Sequence, residues 1–383
     1  MALRVLHVLS NFRWTERAEP AADAALAQQR LGVEVTFACG RNQEGAPPID
    51  SVEFHVREKG LNLVTLELRK HFSPVSARRD LQHLRALIRD ERFDVVHCHM
   101  PNALTLVCMA VATMPNRPLV VASCYDPDGY EWPLRFRLLC RRHTDGMIVI
   151  APETVARVAR QCGLTEQRIA VIEPGIDVDR FADRKDIGRL EDLSIAPGAF
   201  VIGTVTSVGR RRRLDLLLGA LSQLAPRYPQ LCLLLVGRGK LNQFVFRPAA
   251  EMGILDRVII AGYCRDDRLV AAYHTMDLFA YTYPGTDKSC RAVREAMACG
   301  LPVVAVNVGF LPHLIEDGKT GFLSDLSVNG LAAALERALA ARNHLAAFGA
   351  AAAAAARQRF SWKTHAERVL QFYEHLRTAG KLS

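Results

Sequence analysis

Residues 285–306 read GTDKSCRAVREAMACGLPVVAV, charged and small residues that run into four apolar ones. Ser289 is suited to cap a helix running to Cys299, Gly300 supplies its stop, and Pro302 prevents continuation. The apolar VVAV that follows has the composition of a strand buried on both faces. A helix that delivers the chain into such a strand is one step of a parallel α/β sheet, and the step recurs through the chain before this stretch. Upstream lie LRVLHVL, VEVTFAC, DVVHCHM, PLVVASC and GMIVIA, then FVIGTV, LCLLLVG, RVIIAG and LFAYTY. Helical spacing separates them in VSARRDLQHLRALIRDERF, PETVARVARQCG, LDLLLGALSQLAPRYP and DDRLVAAYHTM.

The two series of strands are separated by residues 172–198, rich in Pro, Gly and charge and poor in periodicity, where an interdomain linker is expected. A chain of 383 residues exceeds most single cores, so two domains follow from length as well. The tract AAFGAAAAAAARQRF reads as a terminal helix of the second domain, because Ala is the best helix former. The closing WKTHAERVLQFYEHLRTAG carries Val369, Leu370, Phe372, Tyr373 and Leu376 at helical spacing and must bury that stripe.

Formal net charge is +9, which biases the surface toward anionic partners such as nucleotides, acidic lipids or nucleic acid. Ten cysteines occur without a CxxC pair or metal-type spacing, mostly inside apolar runs, as expected of buried reduced thiols in a cytoplasmic protein. The N-terminal apolar run is too short for a signal core, and no run reaches the length of a spanning helix, so attachment to a membrane would be peripheral.

In doubly wound sheets ligands bind beyond the carboxyl ends of the strands, and the loop before the 285–306 helix follows the strand LFAYTY. Amides at the start of that helix would be free to meet an anion. On a helix Lys288, Arg291 and Glu295 share one face, with Arg preceding Glu, the less favourable order for a solvated pair; a surface ion-pair ladder stays open as the alternative.

At this point the sequence resembles the family-4 retaining glycosyltransferases. Asp287 and Glu295 match the spacing of the family's E-x7-E motif, with Asp in place of the first Glu, and REAMACGLPVVAVNVGFLPHLIEDGKTGFL continues its pattern. FDVVHCHMPN, VIEPGIDVDRF, LLLVGRGK, RVIIAGYCRDDRL and FSWKTHAERVLQFYEHL resemble further elements, so the resemblance covers nearly the whole chain. It implies an α/β protein of GT-B fold: two facing Rossmann-like domains with parallel sheets and a C-terminal crossover helix. The domains would be 1–175, acceptor-side, with 362–383 packing back onto it, and 176–361, which binds the nucleotide-sugar. It also implies that Glu295 holds the donor ribose, that Asp287 faces the transferred sugar, and that Lys288, Ser289, Arg291 and Tyr263 bind the donor.

Members usually carry a cation just after the first strand of the second domain and a Lys five residues later; those positions are Ser207 and Arg212. Arg212 keeps a charge in a planar fork that suits phosphate, whereas Ser207 does not. At most two of Arg210–Arg213 can face one ligand. The run alternatively reads as a solvated loop or nucleic-acid patch, but neither aromatic interleaving nor an RNA or DNA module accompanies it. In the first domain the loop SNFRWTERAEP lacks the family's glycines, and Cys124 stands where a sugar-contacting His is common. His97 and His99 are taken to alternate on their strand, so that only one faces the cleft; His99 matches the family better, and a structural role for it stays open.

The resemblance implies transfer of a hexose-type unit from a UDP or GDP sugar to a saccharide or lipid-linked acceptor, in cell-surface polysaccharide or lipopolysaccharide synthesis. Carboxylates would accept the hydroxyls and protein cations would neutralise the departing diphosphate, with no cofactor and no metal required. The departures at Cys124, Ser207 and the first loop motivate the alternative, a catalytically weak or inactive relative that binds nucleotide-sugar or glycan.

Overall fold

A computed structural model of the protein describes residues 2–15, 17–43, 45–125, 134–182, 186–283 and 290–379. The chain divides into two compact units, Met1–Gly175 with Trp362–Ser383, and Ile176–Ser361.

The first unit holds β1 (Arg4–Leu9), β2 (Glu34–Gly40), β3 (Asn62–Leu66), β4 (Val95–Cys98), β5 (Leu119–Cys124), β6 (Gly146–Val149) and β7 (Ile169–Val171). They form one seven-stranded sheet in the order β3-β2-β1-β4-β5-β6-β7, every pair parallel. The second unit holds β8 (Phe200–Val205), β9 (Leu231–Val236), β10 (Val258–Gly262), β11 (Leu278–Tyr281), β12 (Val303–Val306) and β13 (Gly321–Ser324). Its six strands run β10-β9-β8-β11-β12-β13, again all parallel. Each sheet therefore grows outward in both directions from its first strand. The switch points fall between β1 and β4 and between β8 and β11, where a doubly wound sheet opens a crevice beyond its carboxyl ends.

All ten expected strands are present. The three unexpected ones, β3, β7 and β13, are edge strands of at most five residues, too short to show an apolar run. The central strands are buried on both faces, as β4, β9 and β12 show, and this is why they read as continuous apolar sequence. The closing helix Trp362–Ala379 buries Val369, Phe372, Tyr373 and Leu376 in the core of the first unit. The alanine-rich tract is the helix Leu345–Phe360, which comes so close to Gly300 that Gly349 has no room for a Cβ.

The expected linker is not a free tether. Within the second unit Phe181 packs edge-on to Tyr273 at 5.9 Å, the Leu190 amide donates to Thr275 Oγ1 at 2.8 Å, and the Ile176 amide donates to the Phe360 carbonyl at 2.7 Å. These contacts fall at single residues without a repeating pattern, and so no periodicity betrays the packing.

Candidate functional site

In the second unit the chain leaves β8 through Ser207 and Gly209 into a single turn, Arg210–Arg212, before the helix Leu214–Leu224. Arg213, in the left-handed region at φ 49°, turns the chain there and pairs with Asp215 at 3.0 Å. Arg212 is directed back toward the strand end. Its Nε donates to Ser207 Oγ at 3.1 Å, its guanidinium lies 4.4 Å from the centre of the Tyr283 ring, and its carbonyl accepts from Thr282 Oγ1 at 2.9 Å. The loops following β8 and β11 are thereby tied together at the switch point. Arg210 and Arg211 are exposed, so the arginine run divides its directions as its spacing requires.

The helix after β11 spans Arg291–Ala298, with Gly300 just beyond it at φ 75°. Its N-cap position is held by Cys290, at φ 41° and without a side-chain cap, rather than by Ser289. Asp287, Lys288 and Ser289 lie outside the described residues. One turn apart, Arg291 and Glu295 do share a face: Arg291 Nε donates to Glu295 Oε1 at 2.6 Å. Glu295 is buried and its Oε2 accepts from the Tyr273 hydroxyl at 2.9 Å, so the pair is anchored rather than a solvated ladder. Burial first, and the Glu295 charge second, push the Tyr273 hydroxyl well above the ordinary tyrosine range, keeping it a donor. Each Glu295 oxygen retains a lone pair for a further hydroxyl. Arg294 points the other way, fully buried, 5.7 Å from the centre of the Phe360 ring.

Tyr263, after β10, is half exposed between two guanidinium groups, Arg238 at 4.6 Å and Arg265 at 5.0 Å, and its hydroxyl accepts from Arg265 Nε at 3.1 Å. Arg238 sits between Gly237 (φ 149°) and Gly239 (φ 146°), where an added Cβ would run into the Thr206 and Val208 carbonyl oxygens. Only glycine lets the chain beyond β9 lie this close to the chain beyond β8.

In the first unit, His7 on β1 lies in register with His97 on β4. His99 follows at the strand end, and all three imidazoles are buried. His97 and His99 do not alternate as expected. Residues two apart on a strand share a face, and these rings stack at 4.5 Å between centroids. His7 Nδ1 lies 2.9 Å from His99 Nε2, and His7 Nε2 lies 3.3 Å from Gln28 Oε1. His97 meets the Tyr373 hydroxyl at 2.6 Å and Ser123 Oγ at 2.8 Å, while His99 Nδ1 meets the Tyr125 hydroxyl at 3.0 Å. Burial pushes His7 down to about 4 and holds His97 and His99 well below the ordinary histidine range. Cys124 is fully buried in the apolar core, on the face of β5 opposite to Ser123 and Tyr125, and the structure does not bring it to His99.

Residues 21–180 match the family described as Glycosyltransferase Family 4, and residues 190–355 match Glycosyl transferases group 1. The chain belongs to the family-4 glycosyltransferases. The D-inositol 3-phosphate glycosyltransferase of Rhodococcus jostii (strain RHA1) is 32% identical over 239 residues, 60% of this chain and 52% of that protein. The GDP-mannose-dependent alpha-(1-6)-phosphatidylinositol monomannoside mannosyltransferase of Mycolicibacterium smegmatis is 30% identical over 216 residues, 54% of this chain and 56% of that protein. The chain thus spans about half the length of these relatives. Among solved structures, Anabaena Alr3699/HepE in complex with UDP superposes with a TM-score of 0.75 at 20% identity, covering 96% of this chain and 99% of that one. A glycosyltransferase from Rickettsia africae ESF-5 gives 0.77 at 16% identity, with 98% of each chain covered. At such identities the likeness is one of fold, and the fold is GT-B.

For a family-4 chain the residues divide cleanly. Ser207 and Arg212 follow β8 and Arg291 and Glu295 lie on the helix that follows β11, the two strands flanking the switch point; Tyr263 stands on the β9/β10 side of the same sheet, and His99 belongs to the other unit. Sequence reading missed Arg238, whose signal is a Gly-x-Gly directly after a strand. It also missed His7, Gln28 and Tyr125, for which a lone polar residue in an apolar run is no signal at all. Among the described residues His7, His97 and His99 form the group whose ligand atoms lie close enough for a metal, within 4.8 Å. All six of their ring nitrogens already have protein partners, which leaves no lone pair for one.

Proposed function

We propose that the chain transfers a hexose-type unit from a UDP or GDP sugar to a saccharide or lipid-linked acceptor, with retention of configuration and without a resident metal or cofactor, in cell-surface polysaccharide or lipopolysaccharide synthesis. What supports this reading most is that two paired sets, Arg212 with Ser207 and Arg291 with Glu295, follow the two strands that flank one switch point of a family-4 fold. Arg212 offers a planar fork to the diphosphate and Glu295 offers lone pairs to the ribose. The charge that develops on the leaving phosphate meets cations already in place, and that phosphate assists the incoming hydroxyl, so no dedicated base is required. Asp287 faces the transferred sugar in this reading.

A panel of nucleotide-sugars screened by thermal shift, followed by donor hydrolysis, tests it. A donor at 100 times its dissociation constant stabilises the protein by about 2.7 kcal/mol. Asp287→Asn should lower turnover more than donor affinity, because its contact strengthens as charge develops. Binding without turnover, with Cys124→His raising hydrolysis from nothing, would make the natural protein a binder instead.

The enzyme would work at the cytoplasmic face of a membrane. Among the described residues no helix is long and apolar enough to cross one. Val75 and Leu138 are 80% and 75% exposed, close in sequence to the Phe72 and Phe136 rings, which meet at a tilt with centroids 4.9 Å apart, and Lys70, Arg78, Arg141 and Arg142 are exposed nearby in sequence. Such a surface should bind anionic vesicles at low salt and release them as salt rises.

A further inference from the structure

The hydrogen bonds around the three histidines have a direction, and one residue sets it. Gln28, fully buried on the helix Ala18–Arg30, presents Oε1 to His7 Nε2 at 3.3 Å and donates Nε2 to the Tyr373 hydroxyl at 3.3 Å. An amide oxygen only accepts and an amide nitrogen only donates, so each arm has a single consistent assignment for neutral rings. Along the first arm His7 donates from Nε2 to Gln28, which leaves its Nδ1 to accept from His99 Nε2, and His99 Nδ1 then accepts from the Tyr125 hydroxyl. Along the second arm Tyr373 accepts from Gln28 and has, among the described residues, His97 Nδ1 as its one other hydrogen-bond partner, so its proton goes there and His97 Nε2 donates to Ser123 Oγ. A side-chain hydrogen bond between Ser123 and Tyr125 closes the two arms into a ring, in which Ser123 donates to the Tyr125 oxygen.

We propose that Gln28 is a positioning residue: it fixes His7, His97 and His99 as neutral Nε2–H tautomers and leaves the Tyr125 oxygen as the network's outward acceptor for a substrate hydroxyl. Tyr125 has the largest exposed surface of the network's seven members, at 8%. It follows Cys124, the last residue of β5, so a phenol offers an acceptor one residue beyond the buried thiol. Hydrogen bonds running one way round a ring polarise one another, which favours uniform direction over a mixture. The ionisable groups packed around the network do not rescue an imidazolium. His365 on the closing helix opposes protonation of all three rings, and Asp23 on the first helix acts on Tyr125. The role of Tyr125 rests on the sugar-transfer reading; the tautomer pattern does not.

Long-range proton–nitrogen correlation spectra of protein labelled in its histidines test both parts, with the three rings identified by cross-peaks to Gln28, Tyr125 and Tyr373. The expected result is three Nε2–H rings, unchanged between pH 8 and pH 5.5 and unchanged by added zinc. An Nδ1–H ring among the three, an imidazolium in that range, or displacement of the rings by zinc overturns the proposal. Gln28→Met removes the reference for both arms, and the rings should then populate both tautomers. Persistence of the original pattern in a variant that keeps its near-ultraviolet circular dichroism would deny Gln28 its role. With the donor identified by the panel, Gln28→Met and Tyr125→Phe should each lower turnover about tenfold while donor KM stays within about twofold. Equal turnover in Tyr125→Phe sinks its role as acceptor. A protein that shows the three Nε2–H rings but turns over no nucleotide-sugar removes the functional reading and the Tyr125 role with it, and leaves the tautomer assignment standing.

Discussion

The two switch points are built on the same strand order and carry opposite chemistry. Between β1 and β4 lie three neutral imidazoles, every nitrogen engaged and nearly all surface removed from water. Beside β8 and β11 lie guanidinium groups, the exposed Ser207, the partly exposed Tyr283 ring, and one carboxylate held from two sides. A closed neutral network specifies geometry and resists protonation, whereas an open cationic edge waits for an anion. The same topology therefore carries a closed neutral network in one unit and an open cationic edge in the other.

Acid should break the comparison most strongly. His7 falls from 6.5 in the unfolded chain to about 4 in the folded one. Between those values the unfolded chain binds the extra proton, so the contribution is fully present above about pH 6.5, is lost as pH falls toward 4, and levels off below. That shift corresponds to roughly 3 kcal/mol, and His97 and His99 add to it in the same direction. Hydrogen exchange at pH 7.5 and pH 5 should show amides of the first unit losing protection well before those around β8 and β11, whose guanidinium groups keep their charge. Equal losses in both units would remove the distinction.

Gly237→Ala should disturb the second unit alone, by roughly 2 to 3 kcal/mol, since the new Cβ meets the Thr206 carbonyl and the backbone must shift. Nucleotide affinity should fall with it. Tyr263→Phe is the smallest change: it removes an exposed hydrogen bond to Arg265, worth about 0.5 to 1 kcal/mol, and keeps the ring between its two cations. A large effect on binding would mean that the hydroxyl meets the ligand itself.

The difference between the two ends also governs how much was legible in the sequence. The cationic edge is assembled from residues close together in the chain: helical spacing put Arg291 and Glu295 on one face, and the family resemblance singled out Ser207 and Arg212, whose mutual contact the structure adds. The imidazole network draws on three strands, the first helix and the closing helix, and Gln28 meets Tyr373 across 345 residues of chain. Nothing local marks Gln28 in AALAQQR or His7 in LRVLHVL. The parity of a strand would have placed His97 and His99 on one face; the expectation that they diverge was an error of period rather than of sequence. The central strands were readable because burial on both faces writes itself as apolar composition, while β3, β7 and β13 lie at sheet edges where it does not.

The central claim is that the edge between β8 and β11 is the site of a nucleoside diphosphate. Calorimetric titration of UDP and of GDP, in buffer containing EDTA, into the natural protein and into Arg212→Ala tests it most directly. The account predicts that one of the two binds without metal and that Arg212→Ala weakens it at least tenfold, since a lost charge-assisted contact costs roughly 1.5 to 3 kcal/mol. Binding abolished by EDTA, or undiminished in Arg212→Ala, would contradict it.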